Sequence, residues 1–359
     1  MSKIKVLVID DSALIRKVLT EILNSASDIE VVGTAADPYI ARDKIKQLSP
    51  DVLTLDVEMP KMDGITFLRN LMRLRPMPVV MVSTLTENGA EVTLDALDLG
   101  AIDYVTKPKV NVIEGLEEYK AELVEKIRVA AKANVRAISD RADSLKVEPK
   151  FSADAVLEHR VSKKPLKTTD KIIAIGASTG GTEAIREVLQ HIPVTSPGIV
   201  ITQHIPEAFS GSFAKRMDSI SALTVFEAQD GQQILPGHAY IAPGHSHLLV
   251  ERSGARYYCR LNDGPPVNRH KPSVDVLFRS VAQHVGHNSI GVILTGMGDD
   301  GARGMLEMKE AGAITIAQDE KSSVVWGMPG EAVKMGAAET QLPLTKIAGK
   351  LMTLIEKMQ

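Results

Sequence analysis

Lys171-Ile172-Ile173-Ala174-Ile175-Gly176-Ala177-Ser178-Thr179-Gly180-Gly181 decides how the second half of this 359-residue chain folds. Its apolar, β-branched run reads as a buried strand and ends at Gly176. Thr182-Glu183-Ala184-Ile185-Arg186-Glu187-Val188-Leu189 then reads as a helix, so the frame Gly176, Ser178, Gly180 falls on a tight strand-to-helix turn. Such a turn pushes the Ser178 hydroxyl into the open, as a nucleophile requires. The helix start around Thr179, Gly180 and Gly181 offers backbone N–H groups to a developing oxyanion. Glycine-rich strand–helix turns also bind phosphate, but the lysine of a P-loop is missing here.

The alternation that this turn opens runs to the end of the chain. Apolar runs read as strands at 172–175, 199–202, 238–241, 248–250, 289–294 and 313–317. Helical spacing marks 182–191, 273–284, 301–311 and 343–358, and the stretch 237–261 has the look of an antiparallel insert. Residues 1–108 alternate in the same way, with five short apolar strands separated by helices. Strands apolar on both faces belong to parallel sheets covered by helices on both sides. The expected fold class is therefore α/β, with two doubly wound parallel-sheet domains, the second Rossmann-like. Between them a polar helix continues past residue 110, and residues 139–170 lose periodicity, broken by Pro149 and Pro165. From 126 to 171 twelve Lys/Arg face six Asp/Glu. That composition suits a solvated linker, with a basic docking surface as the alternative. The expected boundaries are 1–125, 126–168 and 169–359.

Composition narrows the function classes. With 44% apolar and 24% charged residues the chain is ordinary for a soluble globular protein. A formal net charge of −3 argues against a nucleic-acid binder, and the second half shows no helix-turn-helix for a DNA-binding output. The single Cys259 excludes an internal disulfide, and no Cys/His spacing resembles a zinc site. Met1-Ser2-Lys3-Ile4-Lys5 leads straight into a strand rather than a signal peptide. No apolar run approaches the roughly 20 residues of a membrane span, so the expected compartment is the cytoplasm.

Asp10 and Asp11 end the first strand, Asp56 the third, Ser83 the fourth and Lys107 the fifth. In a doubly wound sheet those ends converge on one edge, where ligands bind. Three carboxylates there form an oxygen site suited to Mg²⁺, and a hydroxyl and an ammonium beside them can hold phosphoryl oxygens. One such Asp alone reads as a turn former or helix cap. Five such residues, spread over four strand ends, do not.

Ser178 needs a base. Of nine histidines, His204 follows the strand 199–202 and so reaches the same sheet edge as Ser178. An imidazole can take the serine proton near neutrality. His245 and His247 alternate around Ser246 without a third metal ligand nearby, and the others read as ordinary core or surface histidines. Ile293-Leu294-Thr295-Gly296-Met297-Gly298-Asp299-Asp300-Gly301 repeats the pattern of strand, glycine turn and acid. Asp299 and Asp300 both compete to orient His204, and at least one of them reads as the N-cap of the next helix. The chain order Ser, His, acid differs from that of α/β-hydrolases, so the three would meet on another α/β fold.

Val8-Ile9-Asp10-Asp11-Ser12, Leu55-Asp56-Val57-Glu58-Met59-Pro60-Lys61-Met62-Asp63-Gly64 and Thr106-Lys107-Pro108 resemble the receiver domain of bacterial response regulators. That resemblance implies a flavodoxin-like fold with Asp56 as phospho-acceptor. It implies Mg²⁺ held by Asp11, Asp56 and the backbone carbonyl of Glu58, with Asp10 acting through a metal-bound water. Ser83, Tyr104 and Lys107 would form the phosphate switch.

Ile175-Gly176-Ala177-Ser178-Thr179-Gly180-Gly181-Thr182-Glu183-Ala184, Gln203-His204-Ile205-Pro206, Pro266-Val267-Asn268-Arg269-His270-Lys271-Pro272-Ser273-Val274-Asp275 and Leu294-Thr295-Gly296-Met297-Gly298-Asp299-Asp300-Gly301 extend the resemblance over nearly the whole chain. The chain resembles the chemotaxis response-regulator protein-glutamate methylesterases of bacteria, which also deamidate particular receptor glutamines. The resemblance implies Ser178, His204 and Asp300 as catalytic residues, with Thr179, Gly180, Gly181 and Met297 supporting the oxyanion. Asp299 stands where the family commonly has Asn. The implied partners are methyl-accepting chemotaxis receptors as substrate and a chemotaxis histidine kinase as phosphodonor, for a monomer whose esterase chemistry needs no cofactor.

Overall fold

The structure, a computed structural model, describes residues 3–59, 62–84, 87–107, 116–133, 153–157 and 170–357. Most of the basic stretch 139–170, with Pro149 and Pro165, lies outside them, as do Pro60, Lys61 and Pro108 of the quoted motifs. The chain divides into two compact units, Met1–Ile138 and Ser139–Gln359.

In the first unit β1 (Ile4–Ile9), β2 (Ile29–Ala35), β3 (Val52–Asp56), β4 (Val79–Ser83) and β5 (Asp103–Thr106) form one sheet in the order β2-β1-β3-β4-β5. All four pairings are parallel. Strands β3 and β4 are buried at every residue, as a sheet covered on both faces demands. The cover is α1 (Ala13–Asn24), α2 (Pro38–Leu48), α3 (Gly64–Leu74), α4 (Glu87–Asp98) and α5 (Leu116–Lys132). Helix α1 buries Ile15, Leu19, Ile22 and Leu23, one stripe at helical spacing. Ser12, Asp37 and Asp63 each accept a backbone N–H at the start of α1, α2 and α3.

The second unit is built on a seven-stranded sheet. Strands β6 (Ile172–Ala177), β7 (Gly198–Gln203), β8 (Thr224–Glu227) and β9 (His238–Ile241) are followed by a hairpin, β10 (His247–Ser253) and β11 (Arg256–Asn262). Then come β12 (Ser289–Ile293), β13 (Ile314–Gln318) and β14 (Thr340–Leu342), and the sheet order is β14-β13-β12-β6-β7-β9-β8. Its pairings are parallel throughout. The antiparallel insert is narrower than its sequence suggests: only β10 and β11 pair antiparallel, while β9 joins the main sheet. The helices are α6 (Gly181–Gln190), α7 (Glu207–Ile220), α8 (Val274–His284), α9 (Ala302–Glu310), α10 (Met328–Lys334) and α11 (Leu344–Lys357).

Strand β6 is the point where the strand order reverses, since β7 lies on one side and β12 on the other. The crevice beyond the carboxyl ends of such strands is where ligands bind in open α/β sheets. Helix α8 is buried from Val274 to Ala282 and starts against the end of β6. A Cβ on Gly176 would lie 2.1 Å from Val274 Cγ1, so only glycine lets helix and strand approach this closely. No described helix is long and apolar enough to cross a membrane.

Candidate active site

Sheet register brings the serine turn and the histidine together. Ala177 pairs with Gln203 across β6 and β7, which sets Ser178 and His204 side by side one residue further on. The backbone fixes the juncture: His204 N–H donates to Ala177 O at 3.2 Å and Ser178 N–H to Thr295 O at 3.1 Å. The turn closes with Gly181 N–H donating to Ser178 O at 2.7 Å. Gly180, at φ 75, starts α6 in the left-handed region that a side chain resists.

Two side-chain hydrogen bonds run through His204. Its Nδ1 lies 3.1 Å from Ser178 Oγ, and its Nε2 lies 2.8 Å from Asp300 Oδ2. An ionised carboxylate only accepts, so Nε2 carries the hydrogen and Nδ1 presents its lone pair to the serine hydroxyl. The ring therefore faces the serine with the nitrogen that many serine hydrolases turn toward the acid. Side-chain exposure of 9% at His204 and 1% at Asp300 keeps the relay out of bulk water.

Asp300 sits in an anion nest at the start of α8. Its Oδ2 accepts from Val274 N–H at 2.7 Å. Its Oδ1 accepts from Ser273 Oγ and Asn268 Nδ2, both at 2.8 Å, and from Asp275 N–H at 3.2 Å. Burial alone would raise its pKa. The hydrogen bond and charge of His204, then His270 and Asn268, outweigh that and hold the carboxyl well below the usual range. The positive end of α8 favours the same anion.

Of the two competing acids, then, Asp300 enters the relay, while Asp299 is exposed. Neither caps the following helix: Gly301, at φ 91, occupies the N-cap of α9 with no side-chain hydrogen bond. His245 is exposed and His247 fully buried, so the two do not form one face. The buried His247 is used structurally, with Nδ1 accepting from Ser273 N–H and Nε2 donating to Pro265 O.

Sequence reasoning missed several supports of the site. Gln203 Nε2 donates to the carbonyls of Ser178 at 2.9 Å and His204 at 3.1 Å, tying the two turns together. Thr295 Oγ1 donates to Thr179 O at 3.0 Å. Asn268 bridges Asp300 and Asp275. A polar residue at the end of an otherwise buried apolar strand, as at Gln203, is the one local signal that could have found them.

In the first unit the five strand-end residues also gather. Asp10, Asp11 and Asp56 each offer a carboxylate oxygen within 4.8 Å of the others, the one such acidic cluster among the described residues. Lys107 Nζ donates to Asp56 Oδ2 at 2.7 Å and lies 3.6 Å from Asp10 Oδ2. Burial, with Asp10 next to it, pushes Asp56 up to about 6 against the pull of Lys107. Burial raises Asp10 as well. Ser83 Oγ donates to Gly89 O at 3.2 Å, and the buried Tyr104 lies under Lys126 Nζ, 5.1 Å from its ring centroid. The donor set fits a hard divalent cation: it is all carboxylate, and Asp10 Oδ2 is buried with no hydrogen-bond partner.

A family model described as CheB methylesterase matches residues 173–351, and one described as response regulator receiver domain matches residues 6–116. The protein-glutamate methylesterase/protein-glutamine glutaminase of Hydrogenovibrio crunogenus is 57% identical over 376 residues, covering 99% of this chain and 100% of that one. The chain belongs to the CheB methylesterase family. Protein-glutamate methylesterase/protein-glutamine glutaminase 1 of Geobacter metallireducens is 59% identical over 355 residues, covering 98% of this chain and 96% of its own length. Among solved structures, the CheB methylesterase catalytic domain of Thermotoga maritima is 40% identical with a TM-score of 0.51. It covers 52% of this chain and 98% of its own. The α/β class in two parallel-sheet domains, expected from the alternation of strands and helices, agrees with this membership, as does the family resemblance of the quoted motifs.

Proposed function

We propose that this CheB-family hydrolase demethylates γ-glutamyl methyl esters, and deamidates particular glutamines, on methyl-accepting chemotaxis receptors, giving adaptation in chemotaxis. Ser178 is the nucleophile, His204 the base and Asp300 the group that orients it. The observation that carries this reading is the unbroken relay from Ser178 Oγ through both ring nitrogens of His204 to Asp300, at 3.1 and 2.8 Å.

The chemistry follows from the tautomer. His204 Nδ1 takes the Ser178 proton as Oγ attacks the γ-carbonyl carbon, and the carbonyl oxygen becomes an oxyanion. Backbone N–H groups of Thr179, Gly180 and Met297 hold that charge, while Gly181, whose own N–H donates to Ser178 O, supports them by closing the turn. Asp300 stabilises the imidazolium without taking its proton. Collapse breaks the ester bond, and the leaving oxygen receives the proton from Nδ1 as methanol departs; from a glutamine the departing molecule is ammonia. Water, deprotonated by the same Nδ1, attacks the acyl-serine. The glutamate carboxylate leaves, and Oγ recovers its proton.

The first unit, residues 1–125, acts as the receiver, and 169–359 as the catalytic domain, joined through 126–168. Asp56 accepts a phosphoryl group from a chemotaxis histidine kinase. Asp10, Asp11, Asp56 and the backbone carbonyl of Glu58 would hold Mg²⁺, which supplies positive charge against the phosphoryl oxygens. Lys107 pairs with the phosphoryl group, Ser83 turns its hydroxyl toward it and Tyr104 follows. Phosphorylation adds about −1.5 to −2 charges at that edge, and the switch relieves inhibition of Ser178. The enzyme works as a cytoplasmic monomer.

Methanol release from methylated receptor, with and without a small phosphodonor, tests the reading. Ser178→Ala should abolish release while the chain still folds. Release that persists in this variant would overturn the assignment.

A further inference from the structure

The imidazole of His270 lies flat against that of His204, with ring centroids 3.7 Å apart and planes at 14°. No step of the relay uses His270, and by sequence it is one histidine among nine. A two-residue turn sets it there. Val267 and His270 exchange both backbone hydrogen bonds, at 2.8 and 3.0 Å. Between them Asn268 and Arg269 stand at φ 52 and 71. Two successive residues with side chains in the left-handed region are costly backbone, and such backbone persists where its surroundings hold it for a purpose. This turn delivers two side chains to the relay. Asn268 Nδ2 donates to Asp300 Oδ1, and His270 covers one face of His204.

We propose that His270 is a positioning residue for the general base, holding the His204 ring plane so that both of its edge hydrogen bonds stay aligned. The inference rests on the triad reading above. The two hydrogen bonds of His204 leave the ring in its plane from the two nitrogens that flank Cε1. They fix the line through those nitrogens, yet the ring can still rock about that line. A group pressed on the face stops the rocking, and the near-parallel His270 ring, 3.7 Å away between centroids, is placed to do so. The cover also keeps water from one face of the base.

A second consequence is electrostatic. His204 becomes a cation when it takes the serine proton, and a positive His270 at 3.7 Å would oppose that charge. Among the described residues, charged groups near the stack include Asp300, which both imidazoles influence, Asp275 beyond the Asn268 bridge, and Arg269 and Lys271 on either side along the chain.

The test uses the full chain with excess phosphodonor, measuring kcat and KM for methanol release from methylated receptor across pH, with a thermal unfolding midpoint for each variant. His270→Ala should lower kcat by about tenfold or more, the scale on which misplaced catalytic groups cost rate, with KM within about twofold. His270→Phe keeps a flat face without a charge. It should recover most of kcat, and its acid limb should move toward neutral pH because no second imidazolium opposes protonation of His204. Wild-type kcat and an unmoved acid limb in His270→Ala would overturn the proposal. So would His270→Phe as slow as His270→Ala, since a face of the same shape would then have achieved nothing. Ser178→Ala separates the two readings. Turnover that survives Ser178→Ala sinks the triad and this role with it, whereas an inactive Ser178→Ala beside an unimpaired His270→Ala sinks the His270 role alone.

Discussion

The side-chain amide of Gln203 donates to the carbonyl oxygen of Ser178 at 2.9 Å, joining the turn after β6 to the turn after β7. The same Nε2 reaches His204 O at 3.1 Å, so one side chain spans nucleophile and base. Gly181 makes room for it, since a Cβ there would lie 2.1 Å from Gln203 Oε1. Gln203→Leu keeps the volume and removes the donor. A buried acceptor left unmade costs about 1–3 kcal/mol, and that loss should appear in the unfolding midpoint. Turnover should fall further than stability, by about tenfold or more, because both turns loosen. Gln203→Leu with a lowered midpoint and wild-type methanol release would make Gln203 a purely structural tie.

Gly296 faces the serine from the other side. A Cβ added to it would stand 2.2 Å from Met328 Sδ and 2.9 Å from Ser178 Cβ. Met328 is fully buried and cannot retreat. Gly296→Ala should therefore destabilise by about 1–3 kcal/mol, the usual cost of overpacking. It should also displace Ser178 and lose most turnover. Met328→Ala alone opens a cavity, at about 2–5 kcal/mol. Combining the two should cost less than their sum, because the methyl group enters the space that sulfur leaves. Additive losses in denaturant titrations would show that the clash is not what Gly296 avoids.

Much of this site was legible in the sequence because it follows from where strands end. Ser178, His204 and the acid pair each close a buried apolar run, and a doubly wound sheet gathers such ends at one edge. The same logic placed Asp10, Asp11, Asp56, Ser83 and Lys107. Helix α7, strand β8 and helix α10 went unread, since a stretch such as Glu207–Ile220 carries glycine and serines that blur its apolar stripe. Asn268 and His270 stayed hidden for a different reason. They reach the site through a turn whose left-handed backbone no glycine announces. The choice between Asp299 and Asp300 needed the resemblance, because adjacent acids after one strand differ in sequence only by a single step of the chain.

A second buried acid makes stability depend on pH. Burial, and then the negative Asp300, push Asp275 up to about 7. Its oxygens accept from Gly304 N–H and Asn268 Nδ2, each at 2.7 Å. Between an unfolded pKa of about 3.9 and this raised folded value, the native chain holds a proton that the unfolded chain has lost. Stability therefore falls as pH rises through that window and levels off above about 7. Asp275→Asn cannot ionise, so the slope between pH 5 and pH 7.5 should flatten in calorimetric melts of the full chain. An equal slope in both proteins would assign the pH dependence to other groups.

At the receiver edge the carboxylates of Asp10, Asp11 and Asp56 each offer an oxygen within 4.8 Å of the others, with Lys107 paired to Asp56 and Asp10. A divalent ion that binds there only in the folded state must raise stability, by about 2.7 kcal/mol at a hundred times its Kd. Mg²⁺ should accordingly raise the unfolding midpoint of the full chain, and Asp11→Asn, which alters the exposed carboxylate of the cluster, should abolish most of that increment. Lys107→Ala should act in the opposite sense on the metal response. Without the ammonium the carboxylates repel more strongly, so the apo chain loses stability and the gain on adding Mg²⁺ grows. A metal increment that is absent in the wild type, or unchanged in Asp11→Asn, would show that these three carboxylates do not form the cation site.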